Sequence, residues 1–259
     1  MNGFKKILQR IYFVYACLLF LILMIPAALI TLIVAPLGPI RGGNLIYKAC
    51  GIWADIWFPL VGIFTSKTGY KVPEKGAEFV YVANHISWLD AAVVVQTFRH
   101  PMRPLGKAEV GKIPIFGFIY RKAVVMVDRS NPEARHKSVL RLKSVLRKGV
   151  SILVFPEGTF NETHLPLAPF YDGAFRIAIE TGTPIKPVLL LDTYERMPYE
   201  SNFSLNPGRS RVVFLDEIPV LGLKNEDIPA LRDKTHRLMS EALINAQASW
   251  ITLKSTANI

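Results

Sequence analysis

The chain has 259 residues, enough for one large α/β domain with an appendage. Hydrophobic residues make up 51% and the mean hydropathy is +0.28, high for a purely soluble protein, while 31 Lys and Arg against 20 Asp and Glu leave a net charge of +11. Two cysteines, Cys17 and Cys50, both in apolar segments, exclude a disulfide framework and form no metal-type spacing.

From Ile11 to Ile40 there are 30 residues without a charge, more than the ~20 a helix needs to cross a hydrocarbon core. A secretory signal peptide is the competing reading, with Lys5, Lys6 and Arg10 as its basic start, but its apolar region would run only about 7–15 residues. Basic residues flank the far end too: Arg41, Lys48, Lys67 and Lys71. Between them, "GIWADIWFPLVGIF" carries the aromatics that favour a membrane interface. Pro26 can kink the first helix, and "APLGPIRGG" is rich in breakers. The pattern predicts a helical hairpin over residues 1–66, embedded from one side, with both ends and the following domain, residues 67–259, on the cytoplasmic face.

Lys67 to Glu78 reads as a polar linker. "EFVYVA" then reads as a strand, "WLDAAVVVQTF" as a helix, "RPLGKAEV" as a strand leading into a loop and "AVVMVDR" as the next strand. Glu133 to Arg147 has helical spacing, "VSILVFPEGT" is a buried strand ending in a turn, and Ala174 to Thr181 is helical. "IKPVLLLDT" and "SRVVFLDEI" read as strands and Ile228 to Ser249 as a last helix. Alternating strands and helices predict an α/β class with a mixed, largely parallel sheet flanked by helices. Between Arg99 and Lys148 there are 13 basic residues and three acidic ones, a block that is either a solvated face or suited to a phosphate-bearing partner.

Two constellations carry chemistry. "VANHISWLD" places His85 and Asp90 after an apolar strand, where functional groups of open α/β sheets collect. An imidazole there can act as a general base, and a carboxylate that reaches back to its far ring nitrogen fixes its tautomer and stabilises the imidazolium. The alternative is a His–Asp hydrogen bond that only closes a loop; Asn84 or Ser87 could cap the helix. The second constellation, "FPEGTF" from Phe155 to Phe160, is either an ordinary strand-to-loop turn or one whose amides and side chains, at Glu157, Gly158 and Thr159, hold a polar head group. No G-x-S-x-G elbow supplies a serine nucleophile, so the base would activate a substrate hydroxyl. "GKAEVGKI" approaches a P-loop but puts Ile113 where the magnesium-binding Ser or Thr must stand, which excludes a nucleotide triphosphatase. The basic residues are not interleaved with an aromatic platform, so nucleic acid is not a predicted partner.

In carrying both motifs in this order, the chain resembles the 1-acylglycerol-3-phosphate (lysophosphatidic acid) acyltransferases among the glycerolipid acyltransferases. The family's N-H-x-x-x-x-D stands at Asn84, His85 and Asp90, and F-P-E-G-T at Phe155 through Thr159, about 70 residues later. The resemblance implies His85 as base, Asp90 as its orienting partner, Arg129 in "VVMVDR" and Lys107 in "KAEVGKIPIFG" as phosphate ligands, and "PIKPVLL" around Pro187 as a fourth block. It further implies no cofactor and no metal, an acyl thioester of coenzyme A or acyl carrier protein as co-substrate, and membrane lipids as partners; it implies no oligomeric state. There are two departures from the pattern: Phe160 stands where Arg or Ser is common, and Tyr171 and Asp172 stand where a lysine pair is common. Both remove phosphate contacts, which keeps open another lyso-lipid acceptor such as a lyso-aminolipid. A non-catalytic protein that binds anionic membranes would leave both motifs unexplained.

Overall fold

A computed structural model describes residues 3–74, 76–128, 131–201 and 204–251. The uncharged N-terminal run forms α1 (Gly3–Val34), which continues through Pro26. A single 3-10 turn at Ala35–Leu37 leads into α2 (Gly38–Leu60). The turn is shorter than the breaker content of "APLGPIRGG" suggests. Pro39 sits in the first turn of α2, where its missing N–H costs nothing, and Gly43 faces the Arg103 side chain, where a Cβ would lie 2.2 Å from Nη2.

The two helices pair antiparallel. Trp57 Nε1 donates to the Ala16 carbonyl at 3.0 Å, Tyr12 donates to the Val61 carbonyl, and Phe20 meets the edges of Trp53 and Trp57 at 4.8 and 5.7 Å. Ala16, Met24, Ala27 and Thr31 of α1 are buried at helical spacing, while Leu18, Leu21, Ile22, Ile25, Leu29 and Leu32 remain exposed on the same helix.

The hairpin runs directly into the sheet. Strand β1 (Ile63–Thr68) crosses the expected 66/67 boundary and occupies the start of the expected linker. Its residues alternate between buried and exposed positions, the period of a half-buried strand rather than of a helix end. The remaining strands are β2 (Val80–Ala83), β3 (Met102–Lys107), β4 (Val125–Val127), β5 (Ser151–Val154), β6 (Ile185–Leu190) and β7 (Gly208–Phe214). The helices after the hairpin are α3 (Asp90–Thr97), α4 (Phe116–Ala123), α5 (Pro132–Leu146), α6 (Gly173–Thr181), the one-turn α7 (Thr193–Arg196) and α8 (Ile228–Asn245). Sequence reading anticipates all of these except α4 and α7.

The seven strands are ordered β1-β7-β6-β2-β5-β3-β4, parallel throughout except between β6 and β7. Period-two alternation divides the core between the two faces. Tyr81, Ala83 and Leu153 pack with α1, α2, α3 and α4, while Val80, Val82, Ile152 and Val154 pack with α5, α6 and α8. The chain leaving β2 enters α3 on the first face, and the chain leaving the adjacent β5 enters α6 on the second. Diverging connections open a crevice at the carboxyl ends of these two strands, where ligands bind in open α/β sheets.

Candidate active site

Asn84 anchors the chain where it leaves β2. Its Nδ2 donates to the Leu190 carbonyl at 3.0 Å and its Oδ1 accepts from Leu190 N at 2.8 Å, so it ties the β2 end to β6 rather than capping α3. Ser87 Oγ accepts from Leu89 N at 3.1 Å and donates to the Met197 carbonyl at 2.6 Å. The turn between them presents His85.

Asp90 opens α3 and is fully buried. One oxygen, Oδ2, accepts from His85 Nδ1 at 2.8 Å and from the backbone N–H of Ile86 and Ser87 at 2.8 and 2.9 Å. A carboxylate at a helix N-terminus with three donors is held in one position. It fixes the imidazole with its proton on Nδ1 and turns Nε2 away from Asp90. The His85 side chain keeps 23% exposure, so the pair is open to a small group from solvent. Phe155 stacks on the ring at 4.2 Å and 16°, and Phe160 meets it at 4.5 Å in an edge arrangement. Phe160 continues into Trp88 at 4.9 Å and Tyr199 at 6.2 Å, an aromatic wall beside the base.

The FPEGT turn is joined to this loop from the other strand. Glu157 is buried: Oε1 accepts from His85 N and Oε2 from Ala168 N, each at 2.7 Å. Burial pushes its carboxyl up to about 8 against the pull of those two N–H groups, with the nearby Asp90 charge adding to the rise. The sequence reading has Glu157 touching a head group; the geometry shows it tied to backbone amides. Both oxygens are spent on backbone amides, one belonging to the histidine itself, and the side chain points inward. Asn161 N donates to the His85 carbonyl at 2.8 Å, a second tie between the same loops. Gly158 takes φ +75°, a left-handed position that closes the turn, with its N–H on the Phe155 carbonyl at 3.1 Å. Thr159 is exposed and remains available to a ligand.

Lys107 ends β3, exposed, opposite Val127 of β4. The registers place it level with Pro156 and Asn84, two strands from β2, or about 10 Å along the sheet. Arg129 lies outside the described residues. The Asp172 carboxylate is paired with Arg232 at 2.8 Å, and Tyr171 is 72% exposed. The structure thus ties His85, Asp90 and Glu157 together by hydrogen bonds, with Gly158 and Thr159 next along the turn and Lys107 about 10 Å away along the sheet. Sequence reasoning missed the locks at Asn84 and Asn161, and the aromatic wall at Trp88 and Tyr199.

A seven-stranded α/β sheet with a paired histidine at its carboxyl edge defines a class, and the family model described as Acyltransferase matches residues 65–191. Over those residues the chain is similar to acyltransferases. Its relatives include a chloroplast 1-acyl-sn-glycerol-3-phosphate acyltransferase of Brassica napus, 31% identical over 67% of this chain and 48% of the relative. An enzyme of the same name from Haemophilus influenzae is 27% identical over 74% of this chain and 79% of its own. The chain thus spans about half the length of the Brassica relative. The crystal structure of the Thermotoga maritima 1-acyl-sn-glycerophosphate acyltransferase superimposes with a TM-score of 0.76 at 20% identity, covering 97% of this chain and 100% of that one, a shared fold.

Proposed function

We propose that the protein transfers a fatty acyl group from an acyl thioester to the free hydroxyl of a lysophospholipid, 1-acylglycerol-3-phosphate first among them, giving phosphatidic acid. The observation that carries this reading is the His85–Asp90 pair, locked at the sheet's carboxyl edge with Nε2 turned away from the carboxylate. Nε2 takes the proton of the acceptor hydroxyl as its oxygen attacks the thioester carbonyl. The tetrahedral intermediate collapses, the C–S bond breaks, and the imidazolium returns the proton to the departing thiolate. Asp90 stabilises the imidazolium in between. The thioester is already an activated acyl donor, so no acyl-enzyme is formed. Lys107, Arg129 and Thr159 hold the acceptor's phosphate, and Glu157 positions the His85 loop. The α1–α2 hairpin seats the protein in the membrane where acceptor and product reside, with the site on the cytoplasmic face, where thioesters are made.

One observation favours a second acceptor, a lyso-aminolipid: the apolar ring of Phe160 stands beside His85 where a basic or hydroxyl side chain would meet a phosphate. The test supplies purified protein in detergent with matched lyso-lipids, with and without phosphate, and with both thioester donors, and follows thiol release. Release that requires 1-acylglycerol-3-phosphate supports the first reading, and release with the aminolipid alone supports the second. Thiol release independent of any lyso-lipid overturns both.

A further inference from the structure

Between β3 and α4 the chain makes a turn that folding alone does not favour. Ile115 has φ 62° and ψ −63°, and Phe116 N donates to the Pro114 carbonyl at 2.6 Å. This is a γ-turn of the rare positive-φ kind, with a β-branched residue at its centre. The turn is held rigidly from below. Gly117 N donates to the Ile113 carbonyl at 2.7 Å, and a Cβ on Gly117 would lie 2.4 Å from the Gly111 carbonyl oxygen. Arg121 donates to that same carbonyl. The strain and its supports present Ile113 and Ile115 to solvent, each 50% exposed.

Strain that the surroundings maintain points to function, and two exposed isoleucines gain nothing in water. Their neighbours indicate the partner. Residues 107–122 contain Lys107, Lys112, Arg121 and Lys122, all exposed, against a single acid, Glu109. The next residue, Phe116, packs against Phe20 of α1 at 6.0 Å, so the turn adjoins the helix whose outward residues Leu18, Leu21 and Ile25 are exposed. Apolar tips ringed by cations and continuous with an apolar helix fit an anionic bilayer surface.

We propose that the Lys112–Ile115 turn is a second membrane-inserting element, with its isoleucines at the acyl boundary and its cations among lipid phosphates. It rests on the reading of the hairpin as membrane-embedded, and it would hold Lys107 and the sheet's carboxyl edge at the level of the lipid head groups. The test uses the full chain carrying Cys17→Ser and Cys50→Ala, with one environment-sensitive fluorophore on Ile115→Cys or, where the γ-turn does not tolerate the change, on Ile113→Cys. Ile25→Cys reports the hairpin, and Leu221→Cys, 94% exposed beyond the opposite face of the sheet, reports solvent. In vesicles of phosphatidylcholine and phosphatidylglycerol containing nitroxide lipids, positions 115 and 113 should lose emission as position 25 does, while position 221 keeps it. Quenching at 25 but at neither 113 nor 115 overturns the second element and leaves the hairpin reading intact. Quenching at 115 or 113 without 25 supports the turn as a surface contact and overturns the embedded hairpin. Absence of quenching at all three overturns both.

Discussion

Glu157→Gln tests whether the glutamate of the FPEGT turn is a clamp or a ligand. In the native turn each carboxyl oxygen accepts a backbone N–H, from His85 on one side and Ala168 on the other, both at 2.7 Å. An oxygen can accept whether the group is ionised or, with its carboxyl pushed up to about 8, protonated. A glutamine has the same shape but only one oxygen, so in either orientation its NH2 faces an N–H and one buried donor loses its partner. That orphan costs about 1–3 kcal/mol. At about 2–4 °C per kcal/mol for a chain of this size, the thermal midpoint should fall by about 2–12 °C. The catalytic cost follows from position: a shift of the histidine by about 1 Å costs up to ~10²-fold, so kcat should fall by about 10- to 100-fold with the acceptor KM little changed. Thermal unfolding and thiol release on the same preparation read both. An unchanged midpoint and kcat with a raised acceptor KM would refute the clamp and return Glu157 to the head group.

Phe160→Ala removes the ring from one side of His85; at about 0.5–1.5 kcal/mol for an aromatic pair, kcat in the thiol-release assay should fall by about 2- to 10-fold, and an unchanged kcat would leave Phe155 and Asp90 as sufficient supports. Gly43→Ala drives a methyl into Arg103, whose guanidinium is buried and holds the Pro39 and Ile40 carbonyls and Asn44 Oδ1, so limited proteolysis should cut between hairpin and sheet faster than in the wild type; equal rates would show that the side chain shifts freely. Burial lowers His100 to about 4 from its ordinary 6.5, so unfolding takes up a proton between those values and the stability it contributes is lost as pH falls through that window. The wild type should therefore lose thermal midpoint relative to His100→Gln between about pH 6.5 and pH 4, and parallel pH profiles of the two proteins would count against a buried neutral histidine.

Much of this arrangement was legible in the residues because strands that end in chemistry announce themselves: VYVA before NHISWLD and SILV before FPEGT are apolar runs stopped by polar turns. The antiparallel hairpin was readable from an uncharged run with basic residues at both ends. Strand β1 was hidden because IFTSKT follows an aromatic-rich helix and borrows its hydrophobicity; only pairing with β7 from Gly208 onward identifies it. Helix α4 was missed because it begins at a backbone conformation that local rules disfavour for isoleucine. The tie from Glu157 to the histidine loop and the β6 anchor of Asn84 had no local signal, since those partners stand 72 and 106 residues away. Burial of an ionisable group is decided by such distant amides, and motif spacing does not reveal them.

Thiol release by His85→Ala asks whether His85 Nε2 takes the acceptor's proton. With 1-acylglycerol-3-phosphate and an acyl thioester at saturation, kcat should fall by at least about 10²-fold while the thermal midpoint stays near that of the wild type, because the ring is partly exposed and its backbone ties to Glu157 and Asn161 remain. Asp90→Asn should fall between the two. Near wild-type turnover by a folded His85→Ala protein would rule out His85 as the base.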